Sequence, residues 1–544
     1  MKTYILLIIS LFFSFQASAQ LFSSKQIFTR ADSLRGSLRP ERTAFDMLKY
    51  DLNVQINPKD KSIQGYNSIT FKVLDNQQSL QLDLFDNMKL DSIVFHNKNL
   101  EFKREYNAVF IDFEKELQSG TTETIDVYYH GKPIIARNPP WDGGFVFTYD
   151  GNGKPWIAVA VQGTGASLWF PNKDHLSDEP DEVDIRITVP KDLVAVSNGR
   201  LIEEIEINAN LKTYHWQVTY PINNYNITLN IGDYVHFSDQ FQDLDLEYYV
   251  LRDNFEKAKK HFEQVQTMMD CFYDKIGPYP FERDSFKLVE TPYLGMEHQS
   301  AVAYGNQYIN GYLGKDLSNT GYGLKFDFII VHESGHEWFG NSISVKDVAD
   351  LWIHEGFTTY TEAIFVECEY GKEAALDYIY GQRDKIQNNR PIIGEYGVNH
   401  EGSSDMYAKG SNIINTLRSL VEDDELWWKT LKDFTSEFAY KTTTTAEVVD
   451  FFSQAFDKDL TAFFNQYLNH KDIPKLVFKK SKKKNKLEYK WNVAVEDFDM
   501  PIEIKVDGKS QWLFPKATAW KTLKIKPGQT VDIDKKRFYV EVVF

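Results

Sequence analysis

Hydrophobic and polar positions alternate from Tyr50 onwards. Leu52, Val54 and Ile56 share one face, Asn57-Pro58-Lys59-Asp60 makes a turn, and Ile69 and Phe71 resume the alternation. A period of two punctuated by turn residues predicts half-buried strands joined in hairpins. Short runs of the same kind recur at residues 125–127, 185–189 and 227–231, and no convincing helical period interrupts them before about residue 250. An all-β region of roughly 200 residues follows from this pattern.

The texture changes near Asp253. Phe255, Ala258, Phe262, Val265 and Met269 recur at helical spacing up to a stop at Gly277-Pro278. Helical patterns then dominate to about Asn469, including residues 326–339, 359–370 and 409–421, and Thr442 to Thr445 before Ala446 has the composition of a capped helix start. Beyond Asp472-Ile473-Pro474 the period returns to two, in Leu476/Phe478, Ile502/Ile504/Val506, Val531/Ile533 and Tyr539/Val540/Val543. This predicts a small β-sandwich of about 70 residues. The lysine run from Lys479 to Lys484, broken by Ser481, sits between two strand-like segments and reads as a solvated hairpin tip. No internal repeat emerges. The expected partition is a β domain over residues 20–248, a mostly helical domain over 249–472 and a terminal β-sandwich over 473–544.

Residues 1–19 read as an export signal. Lys2 precedes an apolar stretch over residues 5–15, broken only by Ser10 and Ser14, and Ala17-Ser18-Ala19 supplies a small-residue cleavage site. The stretch is shorter than the roughly 20 residues a bilayer span needs. No Cys follows the cleavage site to suggest a lipid anchor, and no later apolar run reaches spanning length. The expected mature chain starts near Gln20, has no transmembrane segment, and is periplasmic or secreted.

Charge narrows the partners. A net charge of −17 argues against a phosphate backbone as ligand, because affinity there comes from Lys and Arg. Cys271 and Cys368 are too few for a disulfide framework. They either form one bridge or remain two small buried apolar side chains.

The chemistry lies in His332-Glu333-Ser334-Gly335-His336. Residues four apart on a helix are about 40° apart around its axis, so both imidazoles leave one face and can meet one ion. Glu333 is turned off that face, close enough to hold a water. The flanking Phe328, Ile329, Ile330, Val331, Trp338 and Phe339 are apolar, so these polar groups face burial, which is costly without partners. Nineteen residues after His336, Glu355 offers a third ligand, completing a His2Glu set that leaves one zinc position open.

With Trp338-Phe339-Gly340-Asn341 and Asp350-Leu351-Trp352 around these residues, and Gly356-Phe357 after Glu355, the sequence resembles the gluzincin metallo-aminopeptidases related to aminopeptidase N. The likeness runs over nearly the whole mature chain, including the Ser197-Asn198-Gly199 turn and residues 446–468. It implies a multidomain α+β fold: an N-terminal all-β saddle, a thermolysin-like, mostly helical catalytic domain and a small C-terminal β-sandwich. The large helical C-terminal domain of many members is expected to be absent, since the sequence ends at Phe544.

The resemblance also assigns roles. Leu294-Gly295-Met296-Glu297-His298 stands where the family has G-x-M-E-N, with Leu294 and His298 as departures. Glu297 would bind the substrate's free amine, with Gly295 and Met296 beside it. Gln162, nine residues before Pro171, matches a second amine contact, and Tyr407 in Tyr407-Ala408-Lys409-Gly410 matches a donor to the oxyanion. Glu333 would act as the base. Glu362, two turns after Glu355, is placed to orient a ligand imidazole, while His354 reads as packing at the helix start. The expected protein is an aminopeptidase with one Zn2+ per chain, acting on peptides with a free N-terminus. The alternatives are a zinc hydrolase of an epoxide and a non-catalytic peptide-binding module.

Overall fold

The computed structural model describes residues 27–482 and 485–544. The export signal read at residues 1–19 and two lysines of the basic run, Lys483 and Lys484, lie outside the described residues.

The alternating region builds an eight-stranded sheet around the strand Phe45–Asn57. That strand runs antiparallel to Ser62–Val73, with Ile56 opposite Ile63, and parallel to Glu182–Pro190, with Leu52 opposite Ile185. Tyr50, Leu52, Val54 and Ile56 are all buried, as a period of two requires when one face covers a core. A four-stranded sheet containing Pro155–Ala160 and a three-stranded sheet containing Ala108–Leu117 complete the β-rich N-terminal part.

Two short helices, Arg30–Gly36 and Pro40–Thr43, precede these strands, where the sequence reading has none. At seven and four residues they are too short to show a period, and a Thr29/Asp32 capping box and buried Arg42 hold them instead. The border read between residues 248 and 249 falls inside the strand Leu244–Leu251. The hairpin of Tyr234–Phe241 and Leu244–Leu251 joins a five-stranded sheet with Phe286–Glu290, Val302–Tyr304 and Gly295–Met296. Gly295–Met296 is the edge strand of that sheet, so the residue after it, Glu297, emerges from a rigid platform.

The apolar run from Phe255 forms two helices, Phe255–His261 and Gln264–Lys275, because the chain turns at the fully buried Phe262. The helix Phe328–Gly335 is shorter than the pattern over residues 326–339. Asp327 caps its start, and the chain reaches a positive φ at Gly340. The long helix Trp352–Tyr370 runs through the centre of the domain and is buried from Trp352 to Val366. Cys368 near its end is disulfide-bonded to Cys271, which settles the open pairing.

The C-terminal strands form two sheets, one with Lys475–Lys480 and Lys486–Asn492, the other with Ile502–Val506 and Lys509–Leu513. Their apolar faces continue the core of the helical domain: the Tyr467 hydroxyl donates to the Tyr539 carbonyl at 2.8 Å. Among the described residues, no helix is long and apolar enough to cross a membrane.

Candidate active site

The helix Phe328–Gly335 is anchored by Asp327, whose carboxylate accepts from the Ile329 and Ile330 amides at 2.9 and 3.2 Å. The same buried carboxylate meets His261 Nε2 at 2.7 Å and accepts from the Tyr304 hydroxyl at 2.8 Å and Asn306 Nδ2 at 2.9 Å. His336 lies just past the helix but keeps right-handed helical angles, so His332 and His336 still leave one face.

Both imidazoles have their Nδ1 committed. His332 Nδ1 lies 2.7 Å from Glu362 Oε1, and His336 Nδ1 lies 2.9 Å from the Phe339 carbonyl. Their Nε2 atoms therefore face Glu355 Oε2, at 3.9 and 3.4 Å. Glu355 and Glu362 stand two turns apart on one face of Trp352–Tyr370. Glu362 also accepts from the Tyr378 hydroxyl at 2.7 Å and from Gln382 Nε2 at 2.8 Å.

Glu355 Oε2 is buried and has no hydrogen-bond partner. Such an atom is costly unless a cation completes it. Ligand atoms of His332, His336 and Glu355 all lie within 4.8 Å of one another. Two neutral imidazoles and a carboxylate with free lone pairs fit one divalent ion with an open position. Burial opposes the charge on Glu355, but His336 and His332 outweigh it and pull its carboxyl down to about 2. Glu297, Glu333 and His336 also converge within 4.8 Å, but Glu297 Oε1 already accepts from Gln162 Nε2 at 2.5 Å and the Tyr225 hydroxyl at 3.1 Å.

Glu297 is buried across the site, and burial raises its carboxyl above the usual range. Gln162 Nε2 spans from it to Glu355 Oε1 at 3.3 Å, and Asn341 Nδ2 holds the Glu297 carbonyl at 2.8 Å. Glu333 is half-buried, and desolvation lifts its carboxyl to about 7. Gly295 is required here, because a Cβ would stand 2.8 Å from an Ile329 methyl and 2.9 Å from Glu333 Oε1. Gly356 and Gly410 let two helices meet closely, since a Cβ on Gly410 would stand 2.8 Å from the Gly356 Cα. That contact sets Tyr407, at the start of Ala408–Val421, with its ring 6.3 Å from that of His332. Desolvation and the carboxylates of Glu355 and Glu297 keep the Tyr407 phenol well above 10, so it remains a donor.

All nine residues singled out in the sequence for catalysis, substrate or metal (Gln162, Gly295, Met296, Glu297, His332, Glu333, His336, Glu355 and Tyr407) line one cavity of about 770 Å3. His354 is fully buried behind His336, and neither ring nitrogen has a partner. It lies outside the ligand group, and burial lowers its imidazole to about 3. Sequence reasoning missed Tyr225, Asn341, Tyr378 and Gln382. Asn341 belongs to the quoted Trp338-Phe339-Gly340-Asn341 stretch. The others carry no local signal, because tertiary packing alone brings them to the carboxylates.

Comparison with known proteins identifies the family. The Peptidase M1 N-terminal domain matches residues 47–225, and the Peptidase family M1 domain matches residues 254–467. The leucyl aminopeptidase of Saccharolobus solfataricus is 20% identical over 483 residues, covering 85% of this chain and 59% of that protein. Endoplasmic reticulum aminopeptidase 1 of Mus musculus is 23% identical, over 54% of this chain and 33% of its own length. Aminopeptidase N of Lactobacillus helveticus is 24% identical, over 78% of this chain and 51% of its own length. The chain thus spans from a third to under two thirds of these relatives. A solved M1 zinc metallopeptidase from Deinococcus radiodurans shares the fold, with a TM-score of 0.67 at 17% identity over 81% of this chain and 98% of its own. With both family domains matched in order along it, the chain belongs to peptidase family M1.

Proposed function

We propose that the protein is a zinc aminopeptidase that removes N-terminal residues from peptides, with one ion held by His332, His336 and Glu355. The observation that carries this reading is the unpartnered Glu355 Oε2 facing two imidazole Nε2 atoms, with a buried Glu297 on the far side of the cavity. Bound zinc would supply Lewis acidity to the scissile carbonyl and lower the pKa of a water nucleophile.

The chain's own residues account for the rest. Glu297 and Gln162 hold the substrate ammonium, fixing which peptide bond reaches the reacting position. Glu333 takes a proton from the attacking water and delivers it to the leaving amine. Tyr407 donates to the developing oxyanion. Gly295 leaves room for Glu333 to approach. A Deinococcus protein of the same fold has been solved as a mutant bound to a Tyr-Ser-Ala substrate. Export is part of the proposal: the leader-like residues 1–19 support a periplasmic or secreted protein, and the Cys271–Cys368 bridge suits an oxidising compartment.

The test is an aminoacyl-arylamide panel run beside N-acetylated twins, with and without a chelator. Chelator-sensitive cleavage of the free-amine set alone is expected. Equal cleavage of the acetylated set would remove the exopeptidase reading.

A further inference from the structure

The cavity is acidic: Glu297, Glu333, Glu355, Glu362 and Glu401 all line it. Lys385 is the only lysine or arginine among its lining residues. It is exposed and forms no ion pair or hydrogen bond through its ammonium among the described residues. A flexible ammonium beside so many carboxylates would ordinarily fold onto one of them.

The turn carrying Lys385 is pinned on both sides. Arg383 Nε donates to Asn412 Oδ1 at 2.6 Å and Arg383 Nη1 to the Lys535 carbonyl at 2.5 Å. Asp405 accepts from the Gln387 and Asn388 amides at 2.8 and 2.7 Å. Three residues before Lys385, Gln382 also lines the cavity and is only 4% exposed. Its Nε2 is used by Glu362, but its Oε1 is buried without any donor. Lys385 thus stands at the cavity wall as a cation without an anion among the described residues.

Its place relative to the metal ligands gives it meaning. Glu297 converges with His336, whereas Gln382 reaches the cavity through Glu362, the partner of His332. Glu297 is thus tied to the His336 side of the ligand set, and Gln382, three residues before Lys385, to the His332 side. A substrate held by its ammonium at Glu297 and reaching Lys385 in the same cavity would cross the ligands. An extended peptide advances about 3.3–3.6 Å per residue, so a short peptide ends inside a cavity of this size.

We propose that Lys385 forms a subsite for the C-terminal end of a short peptide, its ammonium pairing with the carboxylate. This rests on the aminopeptidase reading and adds a substrate class to it: free-acid peptides of about two or three residues.

The test uses the zinc-loaded full chain with Leu-Gly-Gly as free acid and as C-terminal amide, beside leucine arylamide, which has no carboxylate. Wild-type kcat/KM is expected to favour the free acid by about tenfold or more, as a charge-assisted contact allows, and the preference should shrink with added salt. In Lys385→Met the acid-to-amide ratio should fall towards one through a higher KM for the free acid, and Lys385→Arg should restore it. Arylamide turnover with equal rates for acid and amide would overturn the subsite alone, as would a ratio unchanged in Lys385→Met. No turnover of arylamide or peptide would overturn the aminopeptidase reading and the subsite with it.

Discussion

His332 Nδ1 lies 2.7 Å from Glu362 Oε1, and this contact decides which imidazole nitrogen faces the cavity. A carboxylate on Nδ1 fixes the tautomer with Nε2 free and raises the basicity of that nitrogen. Burial opposes a proton on His332, but Glu362 more than offsets it and raises the imidazole above its ordinary value. Glu362 is in turn held by Tyr378 and Gln382. Glu362→Gln keeps the volume and loses the charge. Zinc affinity measured by competition with a chromophoric chelator should weaken by roughly 10–100-fold. Wild-type affinity in this variant would show that Glu362 does not tune the ligand.

Glu333 separates binding from chemistry. Its carboxylate lies outside the group His332, His336 and Glu355, so Glu333→Gln should retain one zinc per chain. Loss of the proposed base should lower kcat by at least about 10^2–10^4-fold. Metal content by atomic absorption and kcat on an arylamide check the two halves together. A fall in both would move Glu333 from base to ligand.

Gly295 tests how closely Glu333 is positioned. A methyl there would stand 2.9 Å from Glu333 Oε1 and 2.8 Å from Ile329 Cγ2, and Ile329 belongs to a packed helix with little freedom to yield. Gly295→Ala should therefore displace the carboxylate, lowering kcat by about tenfold or more while metal content stays, since small misplacements of a catalytic group are expensive. Unchanged kcat would mean that the Gly295–Met296 edge strand absorbs the methyl.

The sequence carries this site unevenly, for a physical reason. Residues tied by a local period are legible: the four-residue step from His332 to His336 and the seven-residue step from Glu355 to Glu362 follow from helix geometry alone. The strand faces around Leu52 and Val54 are legible in the same way. Tyr225 reaches Glu297 from 72 residues away, and Gln382 reaches Glu362 across a helix pair. Neither contact leaves a periodic trace. The short helices Arg30–Gly36 and Pro40–Thr43 escaped for the opposite reason, being held by caps and buried arginine instead of an apolar stripe.

The Cys271–Cys368 bridge closes a separation of 97 residues and ties the helix Gln264–Lys275 to the helix that carries Glu355. Closing a loop of this length removes much of the unfolded chain's freedom. Replacing both cysteines by alanine should lower unfolding stability by about 2–4 kcal/mol. Denaturant melts of wild type with and without reductant should show a loss of similar size. Identical melts would mean that the helix packing already holds these segments without the bridge.

Glu337, the residue after His336, is fully buried and gives a pH signature that needs no substrate. Burial lifts its carboxyl from 4.5 to about 8, against the Ser300 amide at 2.8 Å and the Tyr279 hydroxyl at 3.2 Å, which favour the ionised form. The folded state thus holds a proton that the unfolded chain releases once pH passes 4.5. Its contribution to stability is complete below that value and is lost as pH rises through 8, at up to about 1.4 kcal/mol per pH unit. The buried Lys287 nearby works in the opposite sense, since desolvation lowers its ammonium to about 7 and the fold gains as pH rises from there to 10.5. Lys287 is silent between pH 5 and 7, and the difference between wild type and Glu337→Gln cancels the other groups that titrate there, Glu333 and His354 among them. Glu337→Gln can still accept from Ser300 and donate to the Tyr279 oxygen, whose own proton can go to the Ser285 carbonyl. Melting curves should show wild-type stability falling more steeply than that of Glu337→Gln between pH 5 and 7. Parallel slopes would mean that Glu337 is ionised in the folded protein across that range, and that its two donors outweigh the cost of burial.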